Sequence, residues 1–184
     1  VFIRDCLGYD VFFVSHGAHS IENGLIESSA ARAVSVGRDS APQGECAVRL
    51  KNVLVRRLGG GPQELRIGRG GKLEAERCTF ENLLVQATPG SAVHFSRCLV
   101  TGDPKPEVVI WKDAAWSGAG NRYDVQNLRV DRTNFTPPTF AEFQKRTGSE
   151  ADSQWIGSRP PPADVGAAEA ALRQLIPGTL AKEE

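Results

Sequence analysis

Methionine is absent from the 184-residue chain, and its first residues, VFIRDC, already read as strand. The expectation is a piece of a longer protein. Neither sign of charge is in excess, with 22 Lys and Arg against 22 Asp and Glu. That balance gives no electrostatic footprint of a nucleic-acid or anionic-membrane binder. No apolar run approaches the ~20 residues of a membrane helix, and no basic-then-apolar leader opens the chain. Cysteine is sparse at four residues, too few to settle a redox compartment. What remains is an ordinary composition for one folded domain, 40% apolar and 24% charged.

What the chain does have is a repeated phrase. VHFSRCLV (Val93 to Val100) has the skeleton of LEAERCTF (Leu73 to Phe80), with apolar residues at offsets 0, 2, 5 and 7. The same offsets select Val48, Leu50, Val53 and Val55, and also Tyr123, Val125, Leu128 and Val130. Two weaker copies hold His19, Ile21, Gly24 and Ile26, and Val1, Ile3, Cys6 and Gly8. Alternation over three residues is a strand with one buried face. The step of three is a bend, and the residue before the second strand is Asp5, Asn23, Asn52, Arg77, Arg97 or Asn127. Asn and Asp tolerate the left-handed conformation such a bend requires, and Arg fits it less well.

A third apolar piece lies between successive copies: DVFFV, RAVSV, ELRI, LLVQ and VVIW. Three short strands per repeat predict an all-β fold, a right-handed, single-stranded parallel β-helix forming a three-faced solenoid, with a C-terminal cap and short helices. An antiparallel sandwich is the alternative, but it gives no reason for one fixed phrase. The predicted interior column is Ile3, Ile21, Leu50, Ala75, Phe95 and Val125. Cys6, Cys78 and Cys98 fall in a second column, as free thiols, while Cys46 stands apart in a loop. The solenoid is expected over residues 1–131 and the cap over 132–157. In the cap, Thr139 and Glu142 make a capping box and Gly148 stops a helix. The tail, 158–184, is expected to hold an amphipathic helix with Ala168, Ala171, Leu172 and Leu175 on one face. That face is the expected cover for an outward stripe of Leu7, Leu25, Leu54, Thr79, Leu99 and Arg129.

The repeat resembles the right-handed parallel β-helix of the pectin-lyase-like superfamily. The segments NRYDVQN and TFAEFQKRTGSEADSQW are similar to the closing region of bacterial β-helix repeat proteins. Phe143, Thr147, Gly148, Asp152 and Ser153 match part of its aromatic–Thr–Gly–Asp–Ser phrase, with Phe in place of Trp and Ser one residue early. The resemblance implies a bacterial, extracytoplasmic or secreted setting and a groove along one sheet. It spans lyases, hydrolases and binding proteins, so it names no single activity.

The chemistry expected of such a groove is a pair of carboxylates, or a base beside carboxylates that hold a cation. Glu74 and Glu76 are the nearest approach to a pair, one strand from Arg49 and Lys51 and beside His94. A stabilising charge ladder accounts for the same residues. Glu64 and Arg66 suit a mutual surface pair. Trp111 and Trp116 are candidates to stack on a ligand ring. His16 and His19 lack a third ligand nearby, and the Gly-rich loops at 58–62 and 68–71 lack the phosphate-loop spacing, so neither a metal nor a cofactor is expected. The expected function is non-catalytic binding of a glycan or protein partner, with self-association as a further option. The alternative is the C-terminal part of a polysaccharide lyase or glycoside hydrolase acting on acidic polysaccharide.

Overall fold

The computed structural model describes residues 2–4, 9–13, 17–29, 32–37, 44–58, 63–157, 165–167 and 172. The strands are β1 (Phe2–Arg4), β2 (Tyr9–Phe13), β3 (Gly17–Ser28), β4 (Arg32–Val36), β5 (Cys46–Arg57) and β6 (Glu64–Ile67). They continue as β7 (Gly71–Glu76), β8 (Thr79–Glu81), β9 (Leu84–Ala87), β10 (Ala92–Ser96), β11 (Leu99–Thr101) and β12 (Glu107–Ile110). The last are β13 (Ala115–Ala119), β14 (Arg122–Tyr123), β15 (Asn127–Val130), β16 (Thr133–Phe135) and β17 (Gln154–Trp155), with one helix, α1 (Phe140–Thr147).

Ten strands form one sheet and seven form another. The ten-stranded sheet forks at β5. Its first half, Cys46 to Lys51, pairs with β7, and its second half, Leu54 to Arg56, pairs with β8. One arm continues through β10 to β13, the other through β11 and β14 to β17, all in parallel. The seven-stranded sheet is parallel from β2 to β15 and ends in an antiparallel pair, β15 with β16.

This architecture corrects the expectation of an all-β, three-faced, right-handed β-helix. The two strand types of the phrase do not build separate faces. β3 and β5 run unbroken for 12 residues through the bend, so both types join one sheet that curls into a half-barrel. The second sheet is mixed, and a helix follows its antiparallel edge strand. The bend itself is local: Asn23 and Asn52 lie at φ 52°, as does Arg77, with Arg97 at 53°. At Asn23 and Asn52 the left-handed residue turns the strand without ending it, while at Arg77 and Arg97 one strand stops and the next begins two residues on. Asn52 Nδ2 also donates to Asn23 Oδ1 at 2.7 Å, tying two bends together.

The four middle copies of the phrase lie in register. Ile21, Leu50, Ala75 and Phe95 are successive partners, all buried. The outer copies are shifted. Ile3 pairs with Ile26 rather than Ile21, and the place after Phe95 is taken by Gly118, not Val125. Tyr123 continues a different column, Ile26, Val55, Phe80 and Val100. Facing these, Leu65, Val85, Val108 and Leu128 stack on the second sheet. Burial of these columns is the main stabilising term, at about 25 cal/mol per Å² of apolar area.

Helix α1 starts after Thr139 without the expected capping box. The Thr139 hydroxyl is turned back to Thr136, whose backbone N–H donates to it at 2.9 Å. Gly148, at φ 62°, ends the helix in the left-handed conformation that favours glycine. Phe143 is fully buried, edge-on to Tyr123 and Phe135.

Cys46, Cys78 and Cys98 are free and buried; Cys6 and the other residues of its copy, 5–8, lie outside the described residues. Cys46 opens β5 rather than sitting in a loop. Burial pushes the Cys98 thiol well above the usual cysteine range, and the neighbouring Cys78 thiol adds to that shift. Burial also raises Cys46. The thiolate is the reactive form. Both residues should therefore resist iodoacetamide in the native protein and react once it is denatured, as followed by mass spectrometry. Labelling of Cys98 at the rate of a free thiol would contradict this packing.

Candidate functional site

The outward face of β5, β7, β10 and β13 carries the polar residues of the phrase. Strand alternation puts every second side chain there, and register stacks them. Arg49, Glu74, His94 and Ser117 form one row; Lys51, Glu76 and Ser96 form the next. Neighbours within a row sit on adjacent strands about 4.8 Å apart. Glu76 is held by Arg49 at 3.3 Å and Lys51 at 3.9 Å. His94 Nδ1 lies 2.9 Å from the Ser117 hydroxyl. At the start of β7, Lys72 pairs with Glu45 at 2.6 Å.

Three adjoining hollows follow these strands. A cleft of about 250 Å³ lies between Arg49, Glu74, Glu76, His94 and Ser96. Glu74 and His94 also line a second, of about 160 Å³, with Lys72 and Ser117. Lys72, Ala92 and Ala115 lead from there into a third, of about 530 Å³, floored by Gly70, Gly71, Gly90 and Ser91. Together they form one furrow with a charged end and a small-residue end. Its floor is low because residues 70, 71 and 90 have no side chains.

The sequence candidates are thus partly brought together. Glu74, Glu76 and His94 share the charged end of the furrow. Glu64 and Arg66 lie on the other sheet, 3.7 Å apart, with Arg32 also 3.6 Å from Glu64 and Gln86 accepting from Arg66. Trp116 is 8% exposed and edge-on to Phe95, with ring centroids 5.1 Å apart, and it borders the second hollow. Trp111 is 39% exposed, but the Arg129 guanidinium sits 5.6 Å from its ring centroid, away from the furrow. His19 packs beside Phe13, at 5.3 Å between centroids, and His16 lies outside the described residues. Among the described residues no His, Cys, Asp and Glu cluster has the makings of a metal site.

A hydroxyl beside an imidazole needs a third group to orient the base. Among the described residues no hydrogen bond links Glu74 to His94, and Glu76 is occupied by two cations.

A residue missed by sequence reading proves central to the cap. Glu150 is fully buried. Its Oε1 accepts from Trp116 Nε1 at 2.7 Å and from the Tyr123 hydroxyl at 2.9 Å. Its Oε2 accepts from Asn121 Nδ2 at 2.9 Å and the Ser153 hydroxyl at 2.6 Å. Gly118 leaves the room: a Cβ there would strike the Glu150 carboxylate. Burial, and then the carboxylate's charge, push the Tyr123 hydroxyl well above its ordinary range.

No family model matches the chain, and neither does any curated protein or solved structure. The likeness to the pectin-lyase-like superfamily is therefore withdrawn, together with the sugar-binding and extracytoplasmic roles it carried. No described helix is long and apolar enough to cross a membrane.

Proposed function

We propose that this is a non-catalytic binding domain whose furrow over β5, β7, β10 and β13 receives an extended segment of a partner protein. The observation that carries the reading is the ordered run from small-residue floor to charged rows along a single strand direction. From Gly70 to Glu76 the furrow follows seven residues of chain, about 20 Å at ~3.3 Å per residue. A segment laid there meets glycine backbone and alanine at one end, rimmed by Glu45, Lys72 and Asp113. At the other it meets Arg49 and Lys51 beside Glu74, so the fitting partner alternates acidic and basic side chains. Trp116 is buried and Trp111 does not line the furrow, so a ring-stacking ligand is not what this furrow favours.

The test is capture of binding proteins by the wild-type chain and by an Arg49→Glu, Lys51→Glu, Glu74→Lys variant. These side chains are exposed or half-exposed, so the variant should fold normally. A partner held by the wild type should be lost to the variant and weaken with salt, since the reach of exposed charges, about 8 Å at physiological ionic strength, shortens as salt rises. Equal capture by both would overturn the assignment to this face. Binding on a glycan array that disappears with the variant would replace the protein partner by a glycan.

A further inference from the structure

A second hollow of about 250 Å³ lies at the opposite corner of the fold, where the second arm of the forked sheet hands over to the seven-stranded sheet. It is lined by Arg57, Gln63, Asn82, Leu84, Pro104, Lys105, Pro106, Glu107 and Gln126, none of which belongs to the furrow. Backbone bonds hold its walls: Leu84 N–H donates to Gln63 O at 2.9 Å, and Gln126 N–H donates to Pro106 O at 2.8 Å. Asn82 Oδ1 accepts from Asp103 N–H at 2.7 Å, which fixes the amide and leaves its NH₂ edge as the donor. Gly102 permits that approach, because a Cβ there would meet Asn82.

The polar groups in this corner are not spent on one another. Gln63 is 5% exposed, yet its Oε1 accepts no hydrogen bond from the protein. Arg57 Nε is buried and donates to nothing in the chain. A buried donor or acceptor left so is costly, and a ligand that satisfies it recovers that cost. Lys105 is already paired with Asp124 at 2.7 Å, and Glu107 accepts from Asn127 at 3.0 Å. That leaves Arg57 as the cation facing the hollow, among three amides and an apolar wall of Leu84, Pro104 and Pro106.

From this arrangement we infer that the corner is a binding site for a small hydroxylated monocarboxylate. The carboxylate matches the Arg57 guanidinium, the group best shaped for it. A hydroxyl donates to Gln63 Oε1, and others accept from the Asn82 and Gln126 amides. The carbon skeleton lies on the two prolines, which are rigid and need no ordering. A dicarboxylate would bring its second charge toward Glu107, so one charge is favoured.

Quinate, cyclohexanecarboxylate and myo-inositol separate these features, offering both groups, only the carboxylate and only the hydroxyls. Titration followed by NMR shifts of Arg57, Gln63 and Gln126 should show quinate binding tightest, at a Kd of about 1 mM or below. Arg57→Ala should weaken quinate about tenfold or more and leave myo-inositol unchanged. Gln63→Leu should weaken quinate while cyclohexanecarboxylate is unaffected. Because Arg57 is half-exposed, its variant should keep the wild-type spectrum elsewhere. Equal binding of all three probes, no shift at these residues up to about 10 mM quinate, or a wild-type quinate affinity in Arg57→Ala would each overturn the site. The furrow variant described above should bind quinate normally, which keeps this test independent of the partner-binding reading.

Discussion

Replacing Glu150 by alanine should cost the protein about 3–5 kcal/mol, read as a loss of unfolding free energy in denaturant titration. The carboxylate satisfies Trp116, Asn121, Tyr123 and Ser153 at once, and all four donors are buried. Deleting it strands each of them in an apolar surround that includes Phe95 and Phe143. Since a domain of this size is stable by only ~5–15 kcal/mol, the variant should be near its limit. Glu150→Gln is the sharper comparison. It keeps one acceptor for Trp116 and Tyr123 but turns a donor toward Asn121 and Ser153, so part of the loss should remain. The same cluster has a pH signature. In the unfolded chain Tyr123 releases its proton near 10, while the fold holds it well above that. Above pH ~10 the unfolded state therefore binds fewer protons, and stability falls as pH rises. Tyr123→Phe should flatten that alkaline limb. An Ala variant within about 1 kcal/mol of wild type would show that the cap does not depend on the carboxylate.

Leu172→Asp should detach the tail and leave the protein prone to self-association. Leu172 is wholly buried against Leu25 and Leu54, which are 1% and 2% exposed, with Ala167 completing the cluster. The approach is held by polar bonds too. Ala167 N–H donates to Thr79 Oγ1 at 2.9 Å, the Thr79 hydroxyl donates to Ala167 O at 3.1 Å, and Gly166 N–H donates to Arg97 O at 2.9 Å. Gly166 lies at φ 77°, and a Cβ there would press on Thr79 and Leu99. A buried aspartate cannot stay in such a place, so the segment lifts and the leucines of two adjacent strands meet water. Losing the leucine contacts alone should remove about 2–5 kcal/mol. Sedimentation or light scattering should then show dimers or larger species where the wild type shows fewer. A variant with unchanged mass distribution and unchanged stability would mean that the tail's contact contributes nothing.

The residues show where sequence reading succeeds and where it slips. The phrase places Ile21, Leu50, Ala75 and Phe95 correctly beside one another because each has the same apolar offsets. The offsets 0, 2 and 5, 7 are both alternating pairs, however, and a strand can stack on either. Thus Ile3 sits on Ile26 and Tyr123 on Val100, and no pattern of period two could have told these choices apart. The step of three also reads equally as a corner between faces or as a left-handed kink within one strand. Asn23 and Asn52 take the second form, which is why three faces became a forked sheet. In the furrow, Glu74, Glu76 and His94 were legible from alternation, but the hollows beside them depend on Gly70, Gly71 and Gly90 from turns. Glu150 looked like any acidic loop residue in TGSEAD. The room that Gly118 leaves for it shows only in the fold, since the repeat placed Val125 at that point of the column. Arg57 and Gln63 carried no pattern, since corner residues obey no periodicity.

The forked sheet has an evolutionary consequence. Paired strands come from neighbouring stretches of chain, so Lys72 meets Ala92, 20 positions on, and Ala92 meets Ala115, 23 positions on. Each pairing depends only on the stretch before it and the stretch after it. A change confined to one such unit touches only the pairings on either side of it. Such a chain can lengthen by tandem copying while its exposed rows diverge residue by residue. Selection can then rewrite outward residues such as Arg49 and Glu74 one by one, whereas the furrow's floor is fixed, because a Cβ at Gly71 would strike the Val36 carbonyl.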